Sequence, residues 1–285
     1  MITITPEEHI EAHKIIKNAV REDIRTGDIT TTATTNPRQK AKAVITAKSP
    51  GVLAGILCCS YTFSMINSNI SMFFPVEDGS RIKKGQHVLE IRGSAAAILK
   101  AERTALNLLG RISGIATLTA KFVNEVKGTK AIILDTRKTM PGLRLFDKYA
   151  VRAGGGQNHR YALDDMFLIK ENHIAAAGGV RSAVESCINL RKSRKLDAKI
   201  VIEASDIKSA RTAADAGAER ILLDNMNPDQ IREAVKAIGN KIELEVSGGI
   251  TLKNIRSYAE TGVDFISIGM LTHSVKAVDF SLLLE

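Results

Sequence analysis

Residues 200–225 read IVIEASDIKSARTAADAGAERILLDN. Ile200–Ile202 is a β-branched run ending on Glu203, Ser209–Gly217 carries a helical pattern, and Arg220–Leu223 is a second apolar run ending on Asp224-Asn225. Continuous apolar runs suit strands buried on both faces. Their alternation with helical patterns predicts strand–helix units with parallel strands. The unit recurs in both directions. AIILD (131–135) leads into Thr136-Arg137-Lys138, MFLI (166–169) into Lys170, IELEV (242–246) into Ser247-Gly248-Gly249, and FISI (265–268) into Gly269. A further helical pattern covers Pro228–Ile238. In parallel α/β barrels the chemistry gathers at the C-terminal strand ends. The run ends are therefore the candidate site residues of a barrel enzyme.

Composition narrows the alternatives. The 285 residues are 44% hydrophobic and 25% charged, enough for a barrel, a smaller domain and a sizeable core. Cys58, Cys59 and Cys187 cannot all pair, and adjacent cysteines lack metal-ligand spacing, so they read as thiols of a reducing compartment. MITITPEEHIEAHK has neither the basic nor the apolar stretch of a signal peptide, and no apolar run approaches a membrane span. The expected location is the cytoplasm, with no membrane partner. The net charge of +9 is scattered, and its densest cluster, Arg191-Lys192-Ser193-Arg194-Lys195, reads as a solvated helix end. With 4% aromatic residues and no Trp, a base-stacking platform is not expected, and no nucleic-acid partner is. Cations inside the motifs suit a small polyanion better.

Residues 1–112 read as a separate domain. A helix is expected over about Pro6–Arg21, strands over Ala41–Ala47 and Gly51–Ile56, and a hairpin over Val76–Gly93. The hairpin is similar to those of lipoyl carriers but lacks a tip lysine to modify. An apolar stripe predicts a helix from Ala95 to Val126, with Gly114 as a break or kink. The expected barrel covers 113–270, and 271–285 is expected to add a strand to the N-terminal domain.

Asp135–His173 is the richest stretch for chemistry. It brings together Arg137, Lys138, Arg144, His159, Arg160, Lys170 and His173. Solvated cations are common in basic proteins, but a cation directly after a buried strand is held at the barrel mouth. His159-Arg160 follows Gly154-Gly155-Gly156, whose backbone could approach a ligand closely. Arg forks match carboxylates, so a dicarboxylate suits the cluster. Glu203 and Asp224 end successive strands; together they could hold Mg²⁺, grip ribose hydroxyls or stabilise a developing cation. Ser247-Gly248-Gly249 and Gly269 fall where barrels bind phosphate, the former read as opening a helix N-terminus.

Assembled, the sequence resembles the quinolinate phosphoribosyltransferase family, the carboxylating nicotinate-nucleotide pyrophosphorylases. EDIRTGDIT, AERTALNLLGRISGIAT, DTRKTMPGLR, GGGQNHR, LIKENH, LLDNM, EVSGGIT and SIGMLTHSVKAVDFSL carry the resemblance along nearly the whole chain. It implies an open TIM-like α/β barrel with an N-terminal α/β sandwich that the C-terminal segment rejoins. It also implies a homodimer or larger assembly with shared active sites, Arg103 crossing the interface. Arg103, Arg137, His159, Arg160 and Lys170 would line the quinolinate pocket, with Lys138 between the two substrates and Thr136 also in the substrate-binding set. Glu203 and Asp224 would meet the ribose and Mg²⁺ of phosphoribosyl pyrophosphate, and Ser247, Gly248, Gly249 and Gly269 its 5-phosphate. The implied catalytic set is Lys138, Glu203 and Asp224. One departure is Val201, where the family usually has a second glutamate. Rival readings are a relative acting on another pyridine carboxylate, a Schiff-base aldolase using Lys138 or Lys170, and a basic RNA-binding protein.

Overall fold

The computed structural model describes residues 4–285. The chain opens with α1 (Pro6–Ile24), α2 (Ile29–Thr34), β1 (Lys40–Ala47), β2 (Gly51–Val52), α3 (Ile56–Ile66), β3 (Ser71–Phe73), β4 (Arg81–Ile82) and β5 (His87–Ser94). It continues through α4 (Ala95–Glu125), β6 (Ile132–Leu134), α5 (Arg144–Ala153), β7 (Phe167–Ile169), α6 (Glu171–Ala176), α7 (Val180–Arg194) and β8 (Ile200–Ala204). The last elements are α8 (Ile207–Ala216), β9 (Arg220–Asp224), α9 (Pro228–Ile238), β10 (Glu243–Ser247), α10 (Ile255–Ala259), β11 (Phe265–Ser267), α11 (Met270–His273) and β12 (Phe280–Leu284). Two compact units result. One runs to Ala120 and includes Thr139–Gly155 and Met270–Glu285; the other comprises Lys121–Lys138 and Gly156–Gly269. The boundary expected at Arg111–Ser113 lies inside α4.

In the first unit, α1 begins at Pro6 because Thr5 and Glu8 satisfy each other's backbone N–H groups. An antiparallel sheet has the order β12-β1-β5-β3. Pairing of β12 with β1, Leu283 opposite Val44, returns the C-terminal segment to this unit. Ile45, Leu53, Phe63, Ile91, Ile98 and Leu109 form the centre of its core.

Three expectations here are corrected. The strand expected over Gly51–Ile56 stops at Val52. Gly55, at φ +100, turns the chain, and the Asp78 carboxylate accepts from Gly55 N (2.9 Å) and Ile56 N (3.1 Å) to cap α3. That helix, ILCCSYTFSMI, is too uniformly apolar to show a helical period. Val76–Gly93 is not a single hairpin either, because β4 pairs with β2 while β5 pairs with β1 and β3. Finally, Gly114 does not break α4. A Cβ at Gly114 would lie 2.5 Å from Lys276 O, and one at Gly110 would lie 2.9 Å from Val278 O. These glycines let the returning C-terminal chain lie against the helix, where Val278 N donates to Gly110 O.

The second unit holds six parallel strands in the order β6-β11-β10-β9-β8-β7. Side chains alternate along each strand. The register pairs Val201 with Arg220, Glu203 with Leu222, Leu222 with Glu245 and Asp224 with Ser247. These residues therefore share the interior face, and Glu203, Asp224 and Ser247 occupy its C-terminal end. The basic cluster after Leu190 ends α7, as expected, at a left-handed Lys195.

Gly114→Ala tests the close approach. Ala favours an uncrowded helix interior by about 0.5–1 kcal/mol over Gly, but here the carbonyl contact should reverse the sign. A lower urea unfolding midpoint is expected; an unchanged or higher one would show that the helix has room.

Candidate active site

The loop after β6 begins with Thr136, whose Oγ1 accepts from Lys138 N at 3.0 Å, a local turn that presents Lys138 to solvent. Lys170, following β7, forms a short ion pair with Glu203 at the end of β8. Asp224 ends β9 and is held by its neighbour, Asn225 Nδ2 donating to Asp224 Oδ2 at 2.8 Å. Burial, then the charge of Glu203, pushes the Asp224 carboxyl above its ordinary range; Asn225, Lys170 and Lys138 act in the opposite direction. Lys138, Lys170, Glu203 and Asp224 thus interact within one field.

A second cluster adjoins it. Asp135, fully buried, accepts from His159 N (2.8 Å) and Asn158 Nδ2 (2.6 Å), fixing the chain that leads to Arg160. Arg160 Nη1 donates to Met166 O at 3.0 Å, while its buried Nε has no partner. Arg137 Nε is likewise buried without a partner. Burial, then the charge of Arg137, pushes the Arg160 guanidinium below its ordinary value, with Asp165 and Glu203 opposing. Two neighbouring guanidiniums thus each keep a buried donor unused, an arrangement that an anion could satisfy.

The glycine turns differ in detail from expectation. Gly248 and Gly249 both have positive φ, at +98 and +64. A Cβ on Gly248 would fall onto Asn225 Oδ1, so glycine is required by that packing. No helix opens directly after them, because α10 begins only at Ile255, and Gly269 precedes a helix of four residues. Any anion held there meets turn amides rather than a helix dipole. Nor does Gly154 serve ligand approach. Its Cβ would lie 2.5 Å from Ala116 O, so it accommodates packing on α4.

Arg103 lies on α4, with 65% of its side chain exposed and an ion pair to Glu102 at 3.9 Å. Val201 is fully buried opposite Arg220, whose charge is met instead by Glu243 (2.8 Å) and Glu245 (3.1 Å). Charge balance inside this unit therefore needs no carboxylate at 201.

No group of three or more metal-ligating side chains occurs among the described residues. Glu203 and Asp224 are a carboxylate pair that could meet Mg²⁺, an ion that commonly takes one or two carboxylates and completes its shell with water and substrate phosphates.

Comparison with known proteins places the chain. Residues 28–113 match the family model "Quinolinate phosphoribosyl transferase, N-terminal domain", and residues 115–283 match the corresponding C-terminal domain. The chain belongs to the quinolinate phosphoribosyl transferase family. It is 42% identical to a probable carboxylating nicotinate-nucleotide pyrophosphorylase of Bacillus subtilis (strain 168), over 96% of this chain and 93% of that protein. The Mycobacterium leprae enzyme of that name is 41% identical over 95% and 96% of the two chains. Among solved structures, NadC from Streptococcus pyogenes superposes with a TM-score of 0.94 at 38% identity, covering 100% of this chain and 99% of that one. The Francisella tularensis nicotinate-nucleotide pyrophosphorylase gives 0.92 at 35%, with the same coverage. The open barrel with an N-terminal sheet domain is therefore the family architecture, as the sequence implied.

Sequence reasoning passed over Asp135, Asn225 and Glu245, which contact the candidate residues His159 and Asp224. The first two read as run ends. The signal for Glu245 was a charge inside the run IELEV, spaced two residues from Ser247.

The raised Asp224 carboxyl has a consequence for stability. A carboxyl raised above its unfolded value favours folding below the unfolded pKa, and that contribution is lost as pH rises through the folded pKa. Asp224→Asn should therefore raise the melting temperature of the ligand-free protein at pH 7. The gain should shrink as pH falls towards about 4, near the ordinary Asp value. A lower midpoint at pH 7 would contradict the pressure that burial and the Glu203 charge put on Asp224.

Proposed function

We propose that this protein transfers the phosphoribosyl group of phosphoribosyl pyrophosphate to the ring nitrogen of quinolinate, with decarboxylation. The products are nicotinate mononucleotide, pyrophosphate and CO₂, and the reaction belongs to NAD biosynthesis. The observation that carries the reading is the pair of buried, unpartnered Nε donors on Arg137 and Arg160, beside Lys170, Glu203 and Asp224. A dicarboxylate satisfies the first group, and a cationic sugar is stabilised by the second.

In the first step the bond from ribose C1 to pyrophosphate breaks and the pyridine nitrogen bonds to C1. Arg137 and Arg160 hold quinolinate by its carboxylates, with Lys170 alongside and His159 behind. Glu203 and Asp224 stabilise the positive charge that develops on the sugar. Lys138 stands between the substrates, where its ammonium stabilises the departing pyrophosphate. The turns at Ser247, Gly248, Gly249 and Gly269 receive the 5-phosphate. Glu203 and Asp224 would hold Mg²⁺, which when bound would supply charge neutralisation for the pyrophosphate. In the second step the carboxylate beside the alkylated nitrogen leaves as CO₂. The positive ring nitrogen stabilises the electron pair left on carbon, which then takes a proton.

Arg103, exposed on α4, completes the pocket of a second copy in a homodimer with shared sites. The three cysteines are free thiols, and no helix among the described residues is long and apolar enough to cross a membrane. Both features fit the cytoplasm, where we place the enzyme.

Incubating the purified protein with quinolinate, phosphoribosyl pyrophosphate and Mg²⁺ should yield nicotinate mononucleotide by chromatography; no product would refute the reaction. Lys138→Ala should lower kcat by about 10²–10³, the usual loss for one preorganised electrostatic group. Turnover within tenfold of the parent would remove Lys138 from the charge-stabilising role. Mixing the inactive variants Arg103→Ala and Lys138→Ala should restore activity through heterodimers that contain one intact site. Failure to do so after verified subunit exchange would exclude a composite site.

A further inference from the structure

Glu245 lies in the middle of β10, fully buried, inside the parallel sheet and below the cluster just described. Arg220 reaches it from the start of β9, Nη1 to Oε2 at 3.1 Å. The Arg220 guanidinium lies 3.8 Å from the centre of the Phe265 ring and also meets Glu243, which in turn pairs with Lys199. The other carboxylate oxygen, Oε1, is buried, and none of its contacts is aligned as a hydrogen bond. The imidazole of His159 approaches it, Nε2 to Oε1 at 3.4 Å. A buried carboxylate oxygen left without a donor is costly, so the Nε2 proton belongs on the side facing Glu245. At the opposite edge of the ring, His159 Nδ1 accepts from Arg160 N at 2.7 Å. An accepting Nδ1 carries a lone pair rather than a proton, so the ring is neutral. That state is self-consistent, because Arg220 already balances the Glu245 charge.

Both ring nitrogens of His159 are thus occupied inside the protein, and the residue is only 8% exposed. This departs from the role implied by family resemblance, in which His159 lines the pocket as a ligand. We infer that Glu245 is a positioning residue for the dicarboxylate pocket: it fixes the His159 tautomer, His159 fixes the Arg160 amide, and Arg160 is thereby aimed at the substrate. The inference deepens the proposed function and rests on it for the identity of the substrate, but the tautomer is measurable without any substrate.

Glu245→Gln separates this role from bulk packing. The glutamine has one carbonyl oxygen, and the buried Arg220 charge claims it. The amide NH₂ then faces His159 Nε2, drives the ring proton to Nδ1 and breaks the bond to Arg160 N.

The experiment is ¹⁵N NMR of histidine-labelled, ligand-free enzyme at neutral pH, with the His159 signals assigned by their loss in His159→Gln. In the parent, a pyridine-type Nδ1 and a pyrrole-type Nε2 are expected; a protonated Nδ1, in either the other tautomer or the imidazolium, overturns the inference. In Glu245→Gln the two signals should exchange character. The KM for quinolinate should rise about tenfold or more, the equivalent of one hydrogen bond to a charged group lost. The KM for phosphoribosyl pyrophosphate should stay within about twofold, far less than one such bond is worth. Glu245→Asp, which keeps the charge, should recover part of the quinolinate affinity. A variant with an unchanged tautomer and unchanged quinolinate KM, or with both KM values raised alike, overturns the positioning role. If Glu245→Gln fails to fold, the parent tautomer decides alone. If the protein turns over no quinolinate, the tautomer still tests the brace while the substrate reading falls.

Discussion

Two like-charged pairs share the C-terminal end of the parallel sheet: Arg137 with Arg160, and Glu203 with Asp224. Neither pair is at rest in the protein alone. Burial and the charge of Arg137 depress the Arg160 guanidinium, both arginines leave a buried donor unused, and burial with the Glu203 charge pushes the Asp224 carboxyl up. Lys170 offsets part of the acidic side through its ion pair with Glu203. Such a surface is most stable when anionic and cationic partners fill it together. That matches the charges developing in phosphoribosyl transfer to a pyridine dicarboxylate.

The scaffold carries its own buried charge to keep this arrangement rigid. Lys199, Glu243, Arg220 and Glu245 form an alternating series that runs from the half-exposed strand starts into the interior. Buried pairs seldom add net stability over apolar packing, but removing one partner is costly. Here the series ends on His159, so the interior charge reaches the active site through one imidazole. It also accounts for Val201. Arg220, in register with it, is already satisfied from β10.

The first unit supports the chain that carries α5 and the loop before it. Asp147, fully buried, accepts both Arg111 Nε (2.9 Å) and Nη2 (2.8 Å), and also Met140 N (3.0 Å). A bidentate pair of this kind fixes direction as well as distance. Together with Gly110 and Gly114 it explains why α4 stays continuous where the sequence suggested a break.

Much of this was legible in the residues themselves. A buried parallel strand must be apolar along its length, so IVI, RILL and FISI announce strands, and the polar residue that ends each must lie at the sheet end. That logic located Lys170, Glu203 and Asp224 together, and the motif resemblance supplied the architecture. What the sequence could not convey was anything set by contacts between distant segments. Only packing reveals that Gly114, Gly154 and Gly248 make room for Lys276, Ala116 and Asn225, since a glycine's letter is the same whether it bends a chain or admits a neighbour. The uniformly apolar α3 likewise lacked a period to read. Above all, the sequence named His159 as a pocket residue, whereas the folded chain turns both its nitrogens inward. The direction of a side chain depends on its partners, here Glu245 and the Arg160 amide, and those meet only when β10 and the 157–160 segment are brought together.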